Sequence, residues 1–565
     1  MLSSHGKRSV LHAASISSSS TIMGIPRGYR NDFRESTLNP LVSGLPRCAP
    51  GRKTRKPKTK QFSMRRSDIE SRITLVWLFR YQGTERRRWY DLWRGLSLLW
   101  SRLESRPALV FLLLSFVFGS AISVVVPPLR GPDEIAHFLR IYSYTRGSFL
   151  PPAEVDGRKG IFIDRELHSQ LSFFKNAGER FARSRDQGLR YSELMKEYPP
   201  PGSILDHEEP ATKFMPFAGT EGYNPVAYIP YILAAAIGNL LGLDFPNMLL
   251  LMRLIGLIIF TAVAAYAIKL TPSLKWAFVL IAMLPVSIYN RSVLSADGAA
   301  LSYALVITAL CFSAVQRSGS AWERSLWMTF CALSKQPQII FVLLELMVRR
   351  LMRLQRRWGR AALVVFPSFI LSPLWVLVVS GDIAPWRLLE NENHPREHFD
   401  PLWKLAYMWE HPLHFPLAAW TALTGWGDRL WPELIGILGW QDIPLGPWTY
   451  FVLTGFLLVV PLQKLKFDDA VRARVAIITG LAVLAYVVTV YLIFFLTYTP
   501  LNIDHVRGVQ GRYFVIALPM AAIFFASMIN IDLPRRVLAT TAITGSLLSG
   551  ITSFQALLGA HWSMP

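Results

Sequence analysis

The sequence predicts an all-α, polytopic membrane protein of about eleven transmembrane helices with a large extracytoplasmic first loop. Three observations carry this prediction. Of 565 residues, 52% are hydrophobic and only 17% charged, whereas a soluble chain has about a quarter of its residues charged. Uncharged apolar runs recur, among them 108–126, 361–380 and 475–496, and each supplies the roughly 20 helical residues that span a hydrocarbon core of about 30 Å. Charge is also sorted by position: residues 1–107 hold 22 Lys/Arg against 7 Asp/Glu, which is +15 of the net +22. The basicity therefore belongs to a tail, and no nucleic-acid partner is expected. The three cysteines, Cys48, Cys311 and Cys331, are absent from the polar loops, which argues against a disulfide framework or a cysteine-based zinc site.

Residues 1–85 form the basic tail, with too little apolar surface to offset chain entropy; disorder on the cytoplasmic side is the default. An organelle transit peptide and a start codon assigned too early, with Met23 or Met64 as alternatives, fit the same composition. Residues 86–107 are read as an interfacial amphipathic helix. Trp89, Trp93, Leu96, Trp100 and Leu103 make a stripe beside Arg86, Arg87, Arg88, Arg94 and Arg102, a pattern suited to headgroups and equally to packing against the protein's own cytoplasmic face.

From residue 108 onward the threading follows the positive-inside rule. The first span is 108–126, and 128–246 is the first outer loop. Tyr223–Leu243 is apolar enough to cross. Laying it along the outer surface instead puts Lys269, Lys275, Arg317 and Arg324 on the cytoplasmic side and leaves Arg291 as the exception. Further spans are 247–268, 276–290 and 297–316. A short hairpin of 322–334 and 338–348 follows, with Ser334-Lys335-Gln336-Pro337 at an outward tip, because proline breaks the helix and a lysine there avoids the bilayer centre. Residues 108–348 thus make one membrane module. Residues 349–565 make a second, with spans at 361–380, 448–463, 475–496, 512–530 and 537–557 and an outer loop at 381–447. Cytoplasmic connections then hold 16 Lys/Arg against 4 Asp/Glu, and the two outer segments 17 against 24. The N-terminus is expected inside and the C-terminus outside. No internal repeat is evident.

The first outer loop opens Pro127-Pro128-Leu129-Arg130-Gly131-Pro132-Asp133-Glu134-Ile135-Ala136-His137-Phe138-Leu139-Arg140. Spacing alone favours a helix N-terminus, with proline at the start and acids in the first turn. Asp297 opens a span beside Arg291 and Ser295 and reads as a structural acid paired with Arg291; positioning an acceptor or a metal is the alternative. His394, His398 and Asp400, near Glu390, Glu392 and Glu397, read as solvated charge rather than a metal site. Asp442 is expected to shape its loop, and Arg512-Tyr513-Phe514 to anchor at the interface or to bind phosphate. There is no nucleotide-binding or Gly-x-Ser-x-Gly motif in a convincing context.

Pro-Asp-Glu-x-x-His-Phe after the first span resembles the outer loop of GT-C glycosyltransferases, polytopic enzymes that use polyprenyl-phosphate-linked sugars. The chain resembles most an uncharacterised bacterial membrane-protein family, domain of unknown function 2142. The same order of features follows: Tyr223-Asn224-Pro225-Val226-Ala227-Tyr228, then Leu284-Pro285 leading to Ser295-Ala296-Asp297. After these come Leu333-Ser334-Lys335-Gln336-Pro337, Gly439-Trp440-Gln441-Asp442-Ile443-Pro444 and Gln510-Gly511-Arg512-Tyr513-Phe514. The resemblance covers roughly 108–530. Gln336 departs from it within the hairpin, and the tail before 108 matches nothing.

What the resemblance implies is an inverting, GT-C-like transferase at the extracytoplasmic face of the bacterial cytoplasmic membrane. A carboxylate of the first loop, Asp133 or Glu134 with Asp133 preferred, would act as general base. Lys335 and then Arg512 would stabilise the leaving lipid phosphate, with His137, Arg140, Tyr228 and Asp297 lining the substrate site. The donor is a polyprenyl-phosphate-linked sugar and the surroundings are membrane lipids. No cofactor is fixed by the sequence, and a divalent metal stays open. The rival readings are a flippase or transporter for lipid-linked saccharides and a non-catalytic scaffold that binds them. Nearly charge-free spans and the lack of a repeat weigh against ion-coupled transport.

Overall fold

The computed structural model describes residues 100–148, 154–155, 158–184, 189–198, 211–217, 219–316, 319–348, 358–379 and 400–562. The basic tail, most of the Trp-rich segment at 86–99, and the His394/His398 cluster lie outside the described residues.

Seven helices among them are long and apolar enough to cross a membrane. They are α1 (Pro107–Val125), α6 (Phe245–Leu270), α9 (Ala296–Gln316), α11 (Trp358–Val379), α15 (Asp469–Thr497), the combined segment Gly511–Met528, and α17 (Arg535–His561). The other four expected spans are present as short or broken helices. The segment expected at 276–290 is cut into α7 (Lys275–Met283) and α8 (Pro285–Ser292), because Pro285 has no N–H to continue the ladder. The expected hairpin is α10 (Ala321–Ser334) and a 3₁₀ helix, Gln336–Met347, with Lys335 at the turn. The last is α14, Pro447–Val459.

Helix α9 lies at the centre. Nearly all of it is buried inside the protein, whereas most of α1, α11 and α15 is not. Its small residues allow close approach, as is usual between membrane helices; Ser302 Oγ reaches the carbonyls of Gly298 and Phe260. The α1–α6 contact depends on small residues too. Gly119 sits against Leu257 and Ser115 bonds Thr261 at 2.9 Å, and on another face of α6 a Cβ on Gly256 would fall 2.0 Å from the ring of Tyr231, in the helix Ile229–Leu240. On the outer faces, Val117, Leu363 and Leu484 are at least 60% exposed, a surface that water would not tolerate and lipid matches.

The connections gather at two ends of the bundle. At one end the link after α6 receives Gln463, Leu533 N donates to Leu462 O, and Arg536 reaches Glu104. At the other end stands the first loop. It contains α2 (Glu134–Thr145), α3 (Arg165–Ser184), α4 (Tyr191–Lys196) and an antiparallel sheet of β1 (Glu154–Val155), β2 (Arg158–Asp164) and β3 (Thr212–Pro216) in the order β1-β2-β3. The register of β2 and β3 pairs Phe162 with Phe214. α5 (Ile229–Leu240) follows. The end of α17 docks here as well: His561 stacks on Phe181 and Trp562 Nε1 donates to Val125 O. The second loop, 381–447, is not simply polar. It holds α12 (Pro401–Glu410) and α13 (His414–Ile435), and Leu417, Trp420 and Trp426 of α13 are exposed.

Candidate functional site

Glu134 and Asp133 diverge at the head of α2. Glu134 is fully buried and accepts from Gly131 N (3.1 Å), Leu294 N (3.0 Å), and Arg253 Nε (2.8 Å) and Nη2 (2.6 Å). Arg253 also donates to the carbonyls of Ser123, Val126 and Pro127. Ser123 is in the last turn of α1, and Val126 and Pro127 follow it directly, so the guanidinium caps that helix end. Breaking such a buried pair by removing one partner costs about 3–5 kcal/mol. The carboxylate first offered as an alternative base is therefore committed to joining α1, α6 and the loop after α8.

Asp133 does not do the helix-capping work that its spacing suggests. Its backbone is left-handed (φ 52°, ψ 22°) and its side chain makes no cap hydrogen bond. Aspartate tolerates this conformation better than most residues. The side chain is 51% exposed and faces the Arg512 guanidinium at 3.8 Å. One turn on, His137 is buried, with Nδ1 2.5 Å from the Tyr228 hydroxyl. Burial pushes its pKa down to about 4, against opposing pulls from Asp133 and Asp297 and with the help of Lys335 and Arg512. The imidazole is neutral at physiological pH, and those four charged groups all act on it.

Tyr228 is held by a strap running from Thr220 to Tyr231. Thr220 Oγ1 donates to Ala136 O (2.9 Å), Tyr144 OH to Tyr223 O (2.7 Å), Trp375 Nε1 to Gly222 O (2.9 Å) and Tyr303 OH to Val226 O (3.0 Å). Burial raises the pKa values of the Tyr223 and Tyr228 phenols, so both remain hydrogen-bond donors.

Asp297, at the head of α9, pairs with Lys335 at the hairpin turn. The expected partner, Arg291, is elsewhere. It donates to Ala282 O (2.6 Å) and Ser115 Oγ (3.3 Å) and lies over Phe111. The break at Pro285 frees carbonyls that Arg291 and Ser287 then occupy. The Lys335 ammonium and Arg512 guanidinium lie 5.0 and 5.4 Å from the Tyr513 ring centre.

Lys335, Tyr223 and Tyr513 line a cleft of about 180 Å³ whose other walls come from α10, α11 and α15, including Trp375, Val376, Val490 and Phe494. The cleft is largely apolar, and Lys335 stands in its wall.

Arg140 falls outside this cluster. It is fully buried, with its guanidinium over Tyr144 (4.4 Å) and Phe217 (5.0 Å). Asp400 caps α12 through Leu402 N and Trp403 N, which is a local role. Asp442 accepts from Trp440 N (2.8 Å) and pairs with Arg130 (2.9 Å). The donor set does not suit a divalent cation: Asp297 and Asp133 each face a protein cation, and among the described residues no three His, Cys, Asp or Glu side chains converge on a metal position.

Thus Asp133, His137, Tyr228, Asp297, Lys335 and Arg512 come together from five parts of the chain. Tyr223 and Tyr513 join them from motifs quoted for other residues. Glu433 accepts from Gly511 N (2.6 Å), next to Arg512, and from Arg429 Nε (2.6 Å); it belongs to no motif, and its only sequence signal is the i, i+4 spacing with Arg429.

These features define a polytopic helical membrane protein with a polar cluster at one end of the bundle beside an apolar cleft. The chain belongs to the family described as predicted membrane protein (DUF2142), whose profile matches residues 116–523. No curated protein and no solved structure matches it.

Proposed function

We propose that the protein is a GT-C-like glycosyltransferase of about eleven membrane helices, with its site at the extracytoplasmic face of the cytoplasmic membrane. It moves a sugar from a polyprenyl-phosphate-linked donor to an envelope glycan, lipid or protein acceptor. One observation carries this reading: Asp133, a half-exposed carboxylate that caps no helix, faces Arg512, whose neighbour Tyr513 lines with Lys335 an apolar cleft between membrane helices.

In this reading the polyprenyl chain lies in the cleft and its phosphate meets Lys335. Asp133 takes the acceptor proton as the acceptor oxygen or nitrogen bonds the anomeric carbon from the opposite face. The bond from that carbon to the phosphate oxygen breaks, its electron pair leaves with the lipid phosphate, and configuration inverts. Lys335 and Arg512 stabilise the charge that develops on the leaving oxygen. Neutral His137, held by Tyr228, adds no competing charge.

The test is release of polyprenyl phosphate from a polyprenyl-phosphate-linked radiolabelled sugar by the purified full-length chain in proteoliposomes, with transfer of the label to an envelope extract. Asp133→Asn is expected to abolish transfer while leaving donor binding intact. Transfer that survives Asp133→Asn at the wild-type rate would refute the assignment.

A further inference from the structure

The two helices of the second loop are amphipathic the wrong way round for water. In α12 the fully buried side chain is Lys404, whereas Leu402, Leu405 and Trp409 are 77%, 47% and 90% exposed. The Lys404 ammonium donates to the carbonyls of Phe495 and Thr499, at the end of α15, and lies over the Phe495 ring. In α13 the buried positions are Ala418 and Ala422, which pack with Tyr491, Phe495 and Val506. Leu417, Trp420 and Leu423, with Leu413 one turn earlier, occupy its other face by helical spacing, and all four are exposed. The two helices share one support. Lys404 of α12 and Phe415 of α13 both meet Phe495, and His414 Nδ1 lies 3.2 Å from the Tyr407 hydroxyl. Their outward faces therefore both point away from α15.

The surroundings say what covers these faces. Both neighbours of the pair are helices with lipid-matched surfaces: α15 exposes Leu481 and Leu484, and α14, whose Phe451 packs on Trp431 of α13 at 5.1 Å, exposes Trp448 and Phe451. Trp409, Trp420 and Trp426 are exposed as well, and tryptophan concentrates at the level of lipid headgroups. The chain entering α12, residues 387–400, holds six charged residues and two histidines, too polar a stretch to blanket leucine and tryptophan. Residues 401–435 themselves carry two basic and three acidic residues, so apolar contact rather than attraction to anionic headgroups drives their seating.

We propose that α12 and α13 form an inside-out hairpin seated in the leaflet on the side of the polar cluster, and that the partner of its outward face is the bilayer itself. Trp409 and Trp420 lie among the headgroups, and Leu413 and Leu417 reach the acyl chains. A buried lysine is tolerated at this depth because backbone carbonyls accept from its ammonium. Glu433 of α13 accepts from Gly511 N, next to Arg512, so the seated helix also sets the height of Arg512 relative to the headgroups. The inference stands without the transferase reading.

The experiment uses the full chain in nanodiscs of phosphatidylcholine alone. Nitroxide labels are placed one at a time through Trp409→Cys, Leu417→Cys and Trp420→Cys, with the unsubstituted chain carried through labelling as the blank. Leu484→Cys supplies a lipid-facing reference, and Asp504→Cys, whose side chain is 86% exposed, an aqueous one. Collisions with oxygen, which partitions into lipid, are compared with collisions with a water-soluble nickel chelate. At all three test sites the oxygen-to-nickel ratio is expected to match that at Leu484→Cys and to exceed severalfold that at Asp504→Cys. The three sites are exposed and lie on two helices, so misfolding of one variant leaves the others to decide. A ratio at the level of Asp504→Cys would mean that the face meets water and would overturn the inference. Labels that are immobile and reached by neither reagent would overturn it too, because the face would then be covered by protein, either another segment of this chain or a second copy.

Discussion

Glu134 accepts four hydrogen bonds from Gly131, Leu294 and the Arg253 guanidinium, while Asp133, its neighbour in the chain, meets Arg512 across 3.8 Å and caps nothing. Two carboxylates with the same chemistry thus differ in what surrounds them. One is saturated by donors from α1, α6 and the loop after α8, and its energy goes into folding. The other is left accessible by an unusual backbone conformation. The number of satisfied lone pairs separates a structural acid from an available one.

The comparison breaks most sharply if the two residues respond alike. Asp133→Asn should lower transfer by about 10²–10⁴-fold, the usual range for general-base removal, with no loss of thermal stability in detergent. Glu134→Ala should do the reverse, destabilising the fold by about 3–5 kcal/mol through the stranded Arg253. Its measure is the unfolding midpoint together with the yield of monodisperse protein. If Asp133→Asn unfolds the protein or Glu134→Ala leaves its stability untouched, the division of roles is wrong.

Lys335→Gln sharpens the contrast on the cation side. Losing a charged hydrogen-bond donor is expected to weaken polyprenyl phosphate binding by about 1.5–3 kcal/mol, measured by titration in nanodiscs, with Arg140→Gln changing it little. A smaller effect comes from His137, whose pKa in the fold is about 4 against 6.5 when exposed. Between those values the unfolded chain binds the proton first. Its contribution to stability is therefore complete above pH 6.5 and declines as the pH falls toward 4, by about 1 kcal/mol between pH 7.5 and 5.5. His137→Gln should flatten that slope in thermal scans. Last, single cysteines at Asn239 and Gln336 should react with an impermeant reagent from outside while one at Ser273 is protected; the opposite pattern would invert the proposed sidedness.

Much of this arrangement was legible in the sequence because a bilayer imposes a length rule, and the seven long helices follow it. The positive charge at 269–275, 317–324 and 464–474 sorts the connections by the same logic. The lysine between two short apolar arms marked the hairpin turn. Other features were hidden because they depend on partners distant in the chain. Arg291 beside Asp297 looked like an ion pair, yet the break at Pro285 gave Arg291 carbonyls to satisfy and left Asp297 to Lys335. Arg140 shared a motif with His137, but three residues of helix turned it toward Tyr144 and Phe217. The loop at 381–447 was read by its charge, which concealed the apolar faces of α12 and α13. Glu433 carried no motif because what matters is the backbone N–H it accepts, and a main-chain donor leaves no mark in a sequence.

The left-handed backbone at Asp133 also limits how this position can change over generations. Alanine or glutamate there would carry a steric penalty of roughly 1–2 kcal/mol, which glycine escapes and asparagine largely avoids. A descendant that lost the chemistry while keeping the fold should therefore drift to asparagine or glycine. Relatives bearing either residue would be natural knockouts with an undamaged scaffold, recognisable by reading one codon.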